Sequence, residues 1–85
     1  MTEEDLVEFT KQAMRKEGIV GHQIEITTGD EGFVNFPRRK ILLGRETSKR
    51  VALHELAHIL AGEGCYHYSS VFERTYNQLL ERHQP

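Results

Sequence analysis

The residues best suited to do chemistry are His54, Glu55 and His58, which stand in the order His-Glu-Leu-Ala-His. Histidines four positions apart on a helix lie roughly 40° from each other around its axis, so both rings project from one face. Such a pair suits two positions of a tetrahedral metal ion, and zinc is the usual occupant. Glu55 is offset from the pair, where it can polarise a water molecule rather than bind the metal. The motif therefore predicts a zinc site with Glu55 as general base.

A strong helical pattern surrounds the motif, and this is the context that the motif requires. Thr47 or Ser48 can cap a helix that runs to about Ala61. Gly62 and Gly64 follow it and break the helix. An apolar stripe is expected to face the core and consists of Leu53, Leu56, Ala57 and Leu60. The histidines lie beside this stripe, where an aliphatic side chain would pack at no polar cost, so a coincidental pair of helix histidines is the weaker interpretation.

The third metal ligand is less constrained by the sequence. A catalytic zinc ion takes three protein ligands and leaves one position for water. His67 is the preferred third ligand, because a short reversal of the chain after the glycines could return it over the two motif histidines. Glu73 and Cys65 are the alternatives. Glu73 also fits a capping box in which Ser70 is the N-cap of the last helix, and Cys65 is better explained as a small loop residue.

The sequence gives weaker support for a functional role of several other polar and aromatic residues. Three tyrosines are candidates to support an oxyanion or contact the substrate, although each fits a packing role: Tyr66, Tyr68 and Tyr76. His22 lies in a turn and His83 near the C-terminus, and both are expected at the surface. The basic run 38–40 is expected to be a solvated hairpin tip, with contact to a substrate or phosphate as the alternative.

The remaining patterns predict an α+β fold for one domain spanning residues 1–85. An amphipathic helix capped by Thr2 runs to Glu17, stops at Gly18 and is expected to cover a sheet. Three short strands should form a mostly antiparallel sheet, namely Ile24 to Thr28, Phe33 to Phe36 and Lys40 to Leu43. The motif helix and a C-terminal helix ending near Arg82 complete the domain.

Composition narrows the class of protein. A chain of 85 residues can form only a small hydrophobic core, and small domains often need additional stabilisation. Its single cysteine precludes an internal disulfide, so a bound metal could provide that stabilisation instead. The net charge of -2 does not indicate nucleic-acid binding or affinity for anionic membranes. The apolar runs are too short to span a bilayer, and the acidic N-terminus lacks the apolar region of a signal peptide, so a cytoplasmic location is expected.

The segment from Gly32 to Glu81 resembles the minimal zincin domain of SprT-like metallopeptidases of the Spartan and WLM types. It is more similar still to small actinobacterial and phage-type metallohydrolases. The shared pattern is a short hairpin, a Leu-His-Glu-Leu-Ala-His helix, a glycine-containing loop, a third histidine and an aromatic residue in the next helix. Here these are Phe33 to Leu43, Leu53 to His58, Gly62 to Gly64, His67 and Phe72.

The resemblance implies zinc bound by His54, His58 and His67, with Glu55 as general base. Two departures limit what it implies. Tyr68 stands where the family commonly has a glycine after the third histidine, and one cysteine cannot form the zinc ribbon of Spartan-type relatives, so DNA-linked function is not carried over. Three functions are therefore weighed: a zinc metallopeptidase acting on a peptide or protein, a zinc hydrolase of a non-peptide amide or ester, and a non-catalytic module in which zinc stabilises a binding or regulatory domain.

Overall fold

The computed structural model describes residues 2–27, 29, 32–44, 47–64 and 69–85. Within them the chain forms three helices and three strands, in the order α1 (Glu3–Glu17), β1 (Gln23–Ile26), β2 (Phe33–Asn35), β3 (Lys40–Leu43), α2 (Lys49–Ala61) and α3 (Ser70–His83). This order confirms the α+β class predicted from the sequence. No helix in this part of the chain is long and apolar enough to cross a membrane.

Local hydrogen bonds explain where the first two helices begin. The Thr2 hydroxyl accepts from the Asp5 backbone N–H at 3.1 Å, while the Asp5 carboxylate accepts from the Thr2 N–H, which completes a capping box. Ser48, rather than Thr47, is the N-cap of α2, because its hydroxyl accepts from the Val51 N–H at 3.3 Å. Both starts follow from short polar side chains that satisfy backbone donors which the helix itself leaves unpaired.

The start of α3 differs by one residue from the expectation. The N-cap is Ser69, whose extended backbone places its hydroxyl 3.1 Å from the Phe72 N–H. The predicted capping box between Ser70 and Glu73 is therefore wrong. Adjacent serines offer equivalent hydroxyls, and the backbone conformation of Ser69 decides between them. Glu73 is exposed in the first turn, where a carboxylate interacts favourably with the helix dipole.

The sheet has β3 at its centre, with the strand order β1-β3-β2. β2 pairs with β3 in the antiparallel sense, as a hairpin should, with Val34 opposite Ile41. β1 pairs with β3 in the parallel sense, with Ile24 opposite Ile41. The expected three strands are present, but the sheet is mixed and not mostly antiparallel, because β3 runs antiparallel to β2 and parallel to β1. Among the described residues, β2 is thus an edge strand.

The core is built around α2, which contacts both other helices and β2. α1 packs against α2 and β1, so it covers the neighbouring helix as well as the edge of the sheet. The core residues with no exposed surface are Ile41, Leu43, Ala52, Leu53, Leu56, Ala57 and Leu79. The expectation that Leu60 also faces the core is wrong, because this side chain lies at the end of α2 and is 39% exposed.

A polar cluster lies where α1 and α3 both end. It consists of Glu17, Arg82 and His83, and we call it the terminal junction. The Glu17 carboxylate lies 2.6 Å from Arg82 Nη1 and 2.9 Å from His83 Nε2. The His83 side chain is 5% exposed, so the expectation of a surface histidine is wrong. The contact joins residues that are 66 positions apart, which a local sequence pattern does not reveal.

Gly32 marks a close approach between the start of β2 and the backbone of β3. A Cβ atom at this position would lie 2.5 Å from the Leu42 carbonyl oxygen, which is far inside van der Waals contact. Only glycine lets the two backbones come this close. The position of β2 relative to the sheet therefore depends on the absence of a side chain at residue 32.

Candidate active site

His54 and His58 lie side by side on one face of α2, as the motif predicts. Their ring centroids are 4.9 Å apart and their planes are inclined by 75°. Two imidazoles bound through nitrogen to one tetrahedral zinc ion would have centroids about 5 Å apart, given Zn–N distances of about 2.0–2.1 Å. The spacing and the chemistry of the two rings therefore fit a shared metal ion.

Aromatic side chains from α3 pack against both imidazoles. The Phe72 ring centroid is 4.9 Å from that of His54 and 4.6 Å from that of His58. Phe72 is 2% exposed, so it links the core to the histidine pair. The Tyr76 ring meets His54 edge-on at 5.3 Å. These contacts place the two histidines against an apolar surface supplied by a different helix.

Glu55 lies between the two histidines in sequence and is only 6% exposed. Burial raises the pKa of Glu55 from 4.5 to about 7, because a charged carboxylate loses solvation when water is removed from around it. No salt bridge to Glu55 is found within the described part of the chain. A carboxyl group whose pKa lies near neutrality can both accept and donate a proton at ordinary pH.

An open cleft connects these side chains with the edge of the sheet. It has a volume of about 300 Å³ and lies between α2 and β2, where its lining consists of Gly32, Phe33, Val34, Phe36, His54, Glu55 and His58. The polar groups of α2 thus face an apolar and aromatic wall. The sequence predicted β2 as a strand, but nothing in its local pattern indicated that it borders the histidines.

Most of the other proposed site residues lie outside the described part of the chain. His67 and the alternative ligand Cys65 lie outside them, as do two of the tyrosines, Tyr66 and Tyr68. Across residues 2–27, 29, 32–44, 47–64 and 69–85, no group of three or more histidine, cysteine, aspartate or glutamate side chains could hold a metal. Glu73 therefore does not join the motif histidines, and His67 as third ligand stays a prediction.

The remaining candidates have identifiable positions. Tyr76 is half-buried on α3, and its hydroxyl donates a long hydrogen bond of 3.4 Å to the Arg50 carbonyl oxygen. Arg38 and Arg39 are exposed in the turn between β2 and β3, as expected for a hairpin tip. Lys40 pairs with Glu25 across the β1–β3 ladder at 3.2 Å. None of these basic residues lines the cleft beside the histidines.

The fold belongs to a known class of architecture, because the structure is similar to that of a metallopeptidase zymogen. The solved structure is that of abylysin from Pyrococcus abyssi, with a TM-score of 0.70 and 24% sequence identity. The match covers 93% of this chain and 85% of that chain. At this level of identity the likeness defines a peptidase-like fold.

The sequence comparisons add no family assignment. No protein-family model matches the chain, and no curated protein matches it. The narrower resemblance to SprT-like domains therefore stays a prediction from the residues. The class of fold rests on the structural likeness, and the chemistry has to be argued from the side chains in the cleft.

Proposed function

We propose that this protein is a zinc-dependent metallopeptidase in which Glu55 is the general base. The observation that carries the proposal is the arrangement in the cleft, where two neighbouring imidazoles and a buried carboxyl group face the edge of a sheet. His54 and His58 would hold the metal, with His67 as the third ligand that the motif and the resemblance favour. The peptidase-like fold supports the same activity.

Zinc at this site would supply Lewis acidity toward a carbonyl group and toward water. The protein's own contribution to proton transfer comes from Glu55. As water attacks the scissile carbonyl carbon, a Glu55 carboxylate oxygen takes a proton from the water, and it later delivers this proton to the leaving amine nitrogen. In the metal-free chain, burial raises the pKa of Glu55 to about 7, so this carboxylate has a higher affinity for a proton than an exposed glutamate has.

The substrate class follows from the wall of the cleft opposite α2. β2 is an edge strand, and the strand it pairs with within the described residues is β3. An edge strand presents backbone donors and acceptors that can pair with an extended peptide. A peptide laid along β2 would run past Glu55 and the two imidazoles. This geometry favours a peptide over a small amide or ester, which would gain nothing from the strand.

The direct test compares wild type with Glu55→Gln. Wild type should bind one zinc ion and cleave members of a broad peptide library. Glu55→Gln keeps the size of the side chain and should keep zinc, while kcat falls by about 10²–10⁴-fold. Glu81→Gln, an exposed change on α3, is the matched control and should cleave like wild type. Zinc binding without turnover of any peptide would instead support a non-catalytic module.

The same zinc measurement identifies the third ligand. His67→Ala should weaken zinc binding by more than the roughly 10–100-fold that loss of a supporting partner costs. Glu73→Ala should leave zinc affinity unchanged, because Glu73 is exposed on α3 and belongs to no metal-binding group in the described residues. The opposite ranking would transfer the ligand role to Glu73.

A further inference from the structure

We infer that Tyr76 is a positioning residue, which holds the His54 imidazole in the orientation needed to bind zinc. The inference rests on the zinc site proposed above and assigns a role to α3 that the motif on α2 does not contain. The ring centroids of Tyr76 and His54 are 5.3 Å apart, and the two ring planes are inclined by 79° in an edge-to-face contact. It does not line the cleft, so it lies against the ring from the side and not in the path of a substrate.

The helix alone does not fix the orientation of an imidazole. α2 determines where the Cβ atoms of His54 and His58 lie, but the last side-chain torsion of histidine has a broad, roughly two-fold energy profile. Metal-binding histidines are therefore oriented by groups outside the metal's own ligand set. Among the described residues, two aromatic side chains of α3, Phe72 and Tyr76, are in contact with the rings.

Phe72 and Tyr76 divide this task between them. Phe72 touches both imidazoles and is almost fully buried, so its loss would disturb the core and the whole pair together. Tyr76 stacks on Phe72 with ring centroids 6.1 Å apart and contacts His54. Tyr76 is also only half-buried. It is therefore the residue at which orientation can be perturbed with the smaller cost to the fold.

The hydroxyl of Tyr76 has a secondary part in the contact. It donates to the carbonyl oxygen of Arg50, which lies one helical turn before His54. A phenol has one hydrogen to donate, and in this arrangement it is directed at a backbone carbonyl oxygen. At 3.4 Å the bond is long for an O–H···O contact, and most of the positioning therefore comes from the ring.

The test separates the ring from the hydroxyl and both from general stability. Zinc dissociation constants are measured by competition with a chromophoric chelator, and the visible spectrum of the Co²⁺-substituted protein reports ligand geometry. Tyr76→Leu should weaken zinc binding by roughly 10-fold or more and alter the Co²⁺ spectrum. Tyr76→Phe keeps the ring and should stay within about threefold of wild type.

Leu80→Ala is the matched control, since Leu80 is a half-buried residue of α3 that packs on the core. It should lower stability to urea and leave both zinc affinity and the Co²⁺ spectrum as in wild type. If Tyr76→Leu fails to fold, Tyr76→Met, which has a flexible side chain that fills irregular space, is measured in its place.

The outcomes distinguish the two proposals. A zinc affinity and Co²⁺ spectrum unchanged in the Tyr76 variants would overturn the positioning role while leaving the zinc site intact. An equal loss of affinity in Leu80→Ala would also overturn it, because any loosening of α3 would then suffice. Absence of zinc binding in wild type would instead overturn the proposed function on which the inference rests.

Discussion

Two glutamates of this small protein have side chains with little exposed surface and different surroundings, although Glu17 as a whole residue is half-buried and Glu55 is buried. In the terminal junction, the Glu17 side chain is 8% exposed and touches both Arg82 and His83. In the cleft, Glu55 is 6% exposed, and no salt bridge to it is found within the described residues. Burial raises the pKa of Glu55 to about 7. The comparison shows that burial alone does not define the role of a carboxylate, whereas its partners do.

The partners explain what each glutamate is suited to do. A carboxylate whose two oxygens each contact a side-chain nitrogen has both oxygens occupied, and it serves to join the ends of two helices. A carboxyl group that is desolvated without such partners carries an energetic cost when charged, and natural sequences retain such a cost mainly at functional sites. Glu17 is accordingly suited to stabilise the fold, and Glu55 to the proton transfer proposed for it.

The largest expected effect comes from shortening each glutamate to aspartate, which should affect catalysis at Glu55 but not at Glu17. Glu55→Asp keeps the charge and withdraws the carboxylate by one methylene, about 1.5 Å. We expect kcat on a cleaved peptide to fall by about 10²-fold with zinc content unchanged, because a displacement of this size disrupts proton transfer. Glu17→Asp makes the same change in the terminal junction and should leave kcat as in wild type. An equal loss of kcat in both variants would break the comparison.

A second effect concerns the pH dependence of stability in the chelator-treated protein. Since the pKa of Glu55 is raised from 4.5 to about 7, the folded chain holds its proton more tightly than the unfolded chain. The resulting stability is fully present below about pH 4.5 and is lost as the pH rises to about 7.

Glu55→Gln removes this titration, so its stability relative to wild type should increase across that pH window. We expect a gain of about 2 kcal/mol, less than the full shift implies, because the carboxyl group faces an open cleft. Urea unfolding at a series of pH values measures it. Parallel profiles for the two proteins would show that burial of Glu55 costs nothing.

The smallest effect tests the terminal junction itself. Glu17→Gln removes the negative charge that Arg82 and His83 contact, while the amide oxygen can still accept one hydrogen bond. The free energy of unfolding should fall by about 1–2 kcal/mol. Glu81→Gln, exposed on the same helix, should change it by less than about 0.5 kcal/mol. A loss no larger than that of Glu81→Gln would mean that the junction contributes no stability.

Local signals explain why much of the fold could be predicted from the sequence. The starts of α1 and α2 follow from Thr2 and Ser48. Each hydroxyl accepts a hydrogen bond from the backbone N–H three residues later in the chain. The spacing of His54 and His58 is likewise a property of one helix, so the close approach of their rings could be derived before the fold was known. Such features depend on neighbours in the chain.

The features that could not be predicted depend on distant contacts. The parallel pairing of β1 with β3 requires that β3 be placed between two earlier strands, and no residue in either strand specifies this. The His83 side chain is buried where it contacts Glu17, which lies 66 positions earlier in the chain. Leu60 fits the helical stripe by spacing but is exposed because α2 ends one residue later.

The candidate site likewise combines features that a local motif predicts with features that depend on distant contacts. The motif identified Glu55 and the two imidazoles, whereas the aromatic support from Phe72 and Tyr76 and the cleft wall from β2 arise from tertiary packing. Phe72 did have a signal, since the resemblance places an aromatic residue after the third histidine. The roles of His67, Tyr66 and Tyr68 concern a segment outside the described residues and remain predictions.

The close approach at Gly32 would restrict how the peptidase proposed above could change its substrate preference. A side chain there would have to displace the Leu42 carbonyl and, with it, the strand that carries the fully buried Ile41 and Leu43. Libraries designed to alter cleavage preference should therefore leave residue 32 fixed and vary Phe33 and Val34 instead. Phe33 is already 53% exposed, so replacing it alters the mouth of the cleft without opening a hole in the core.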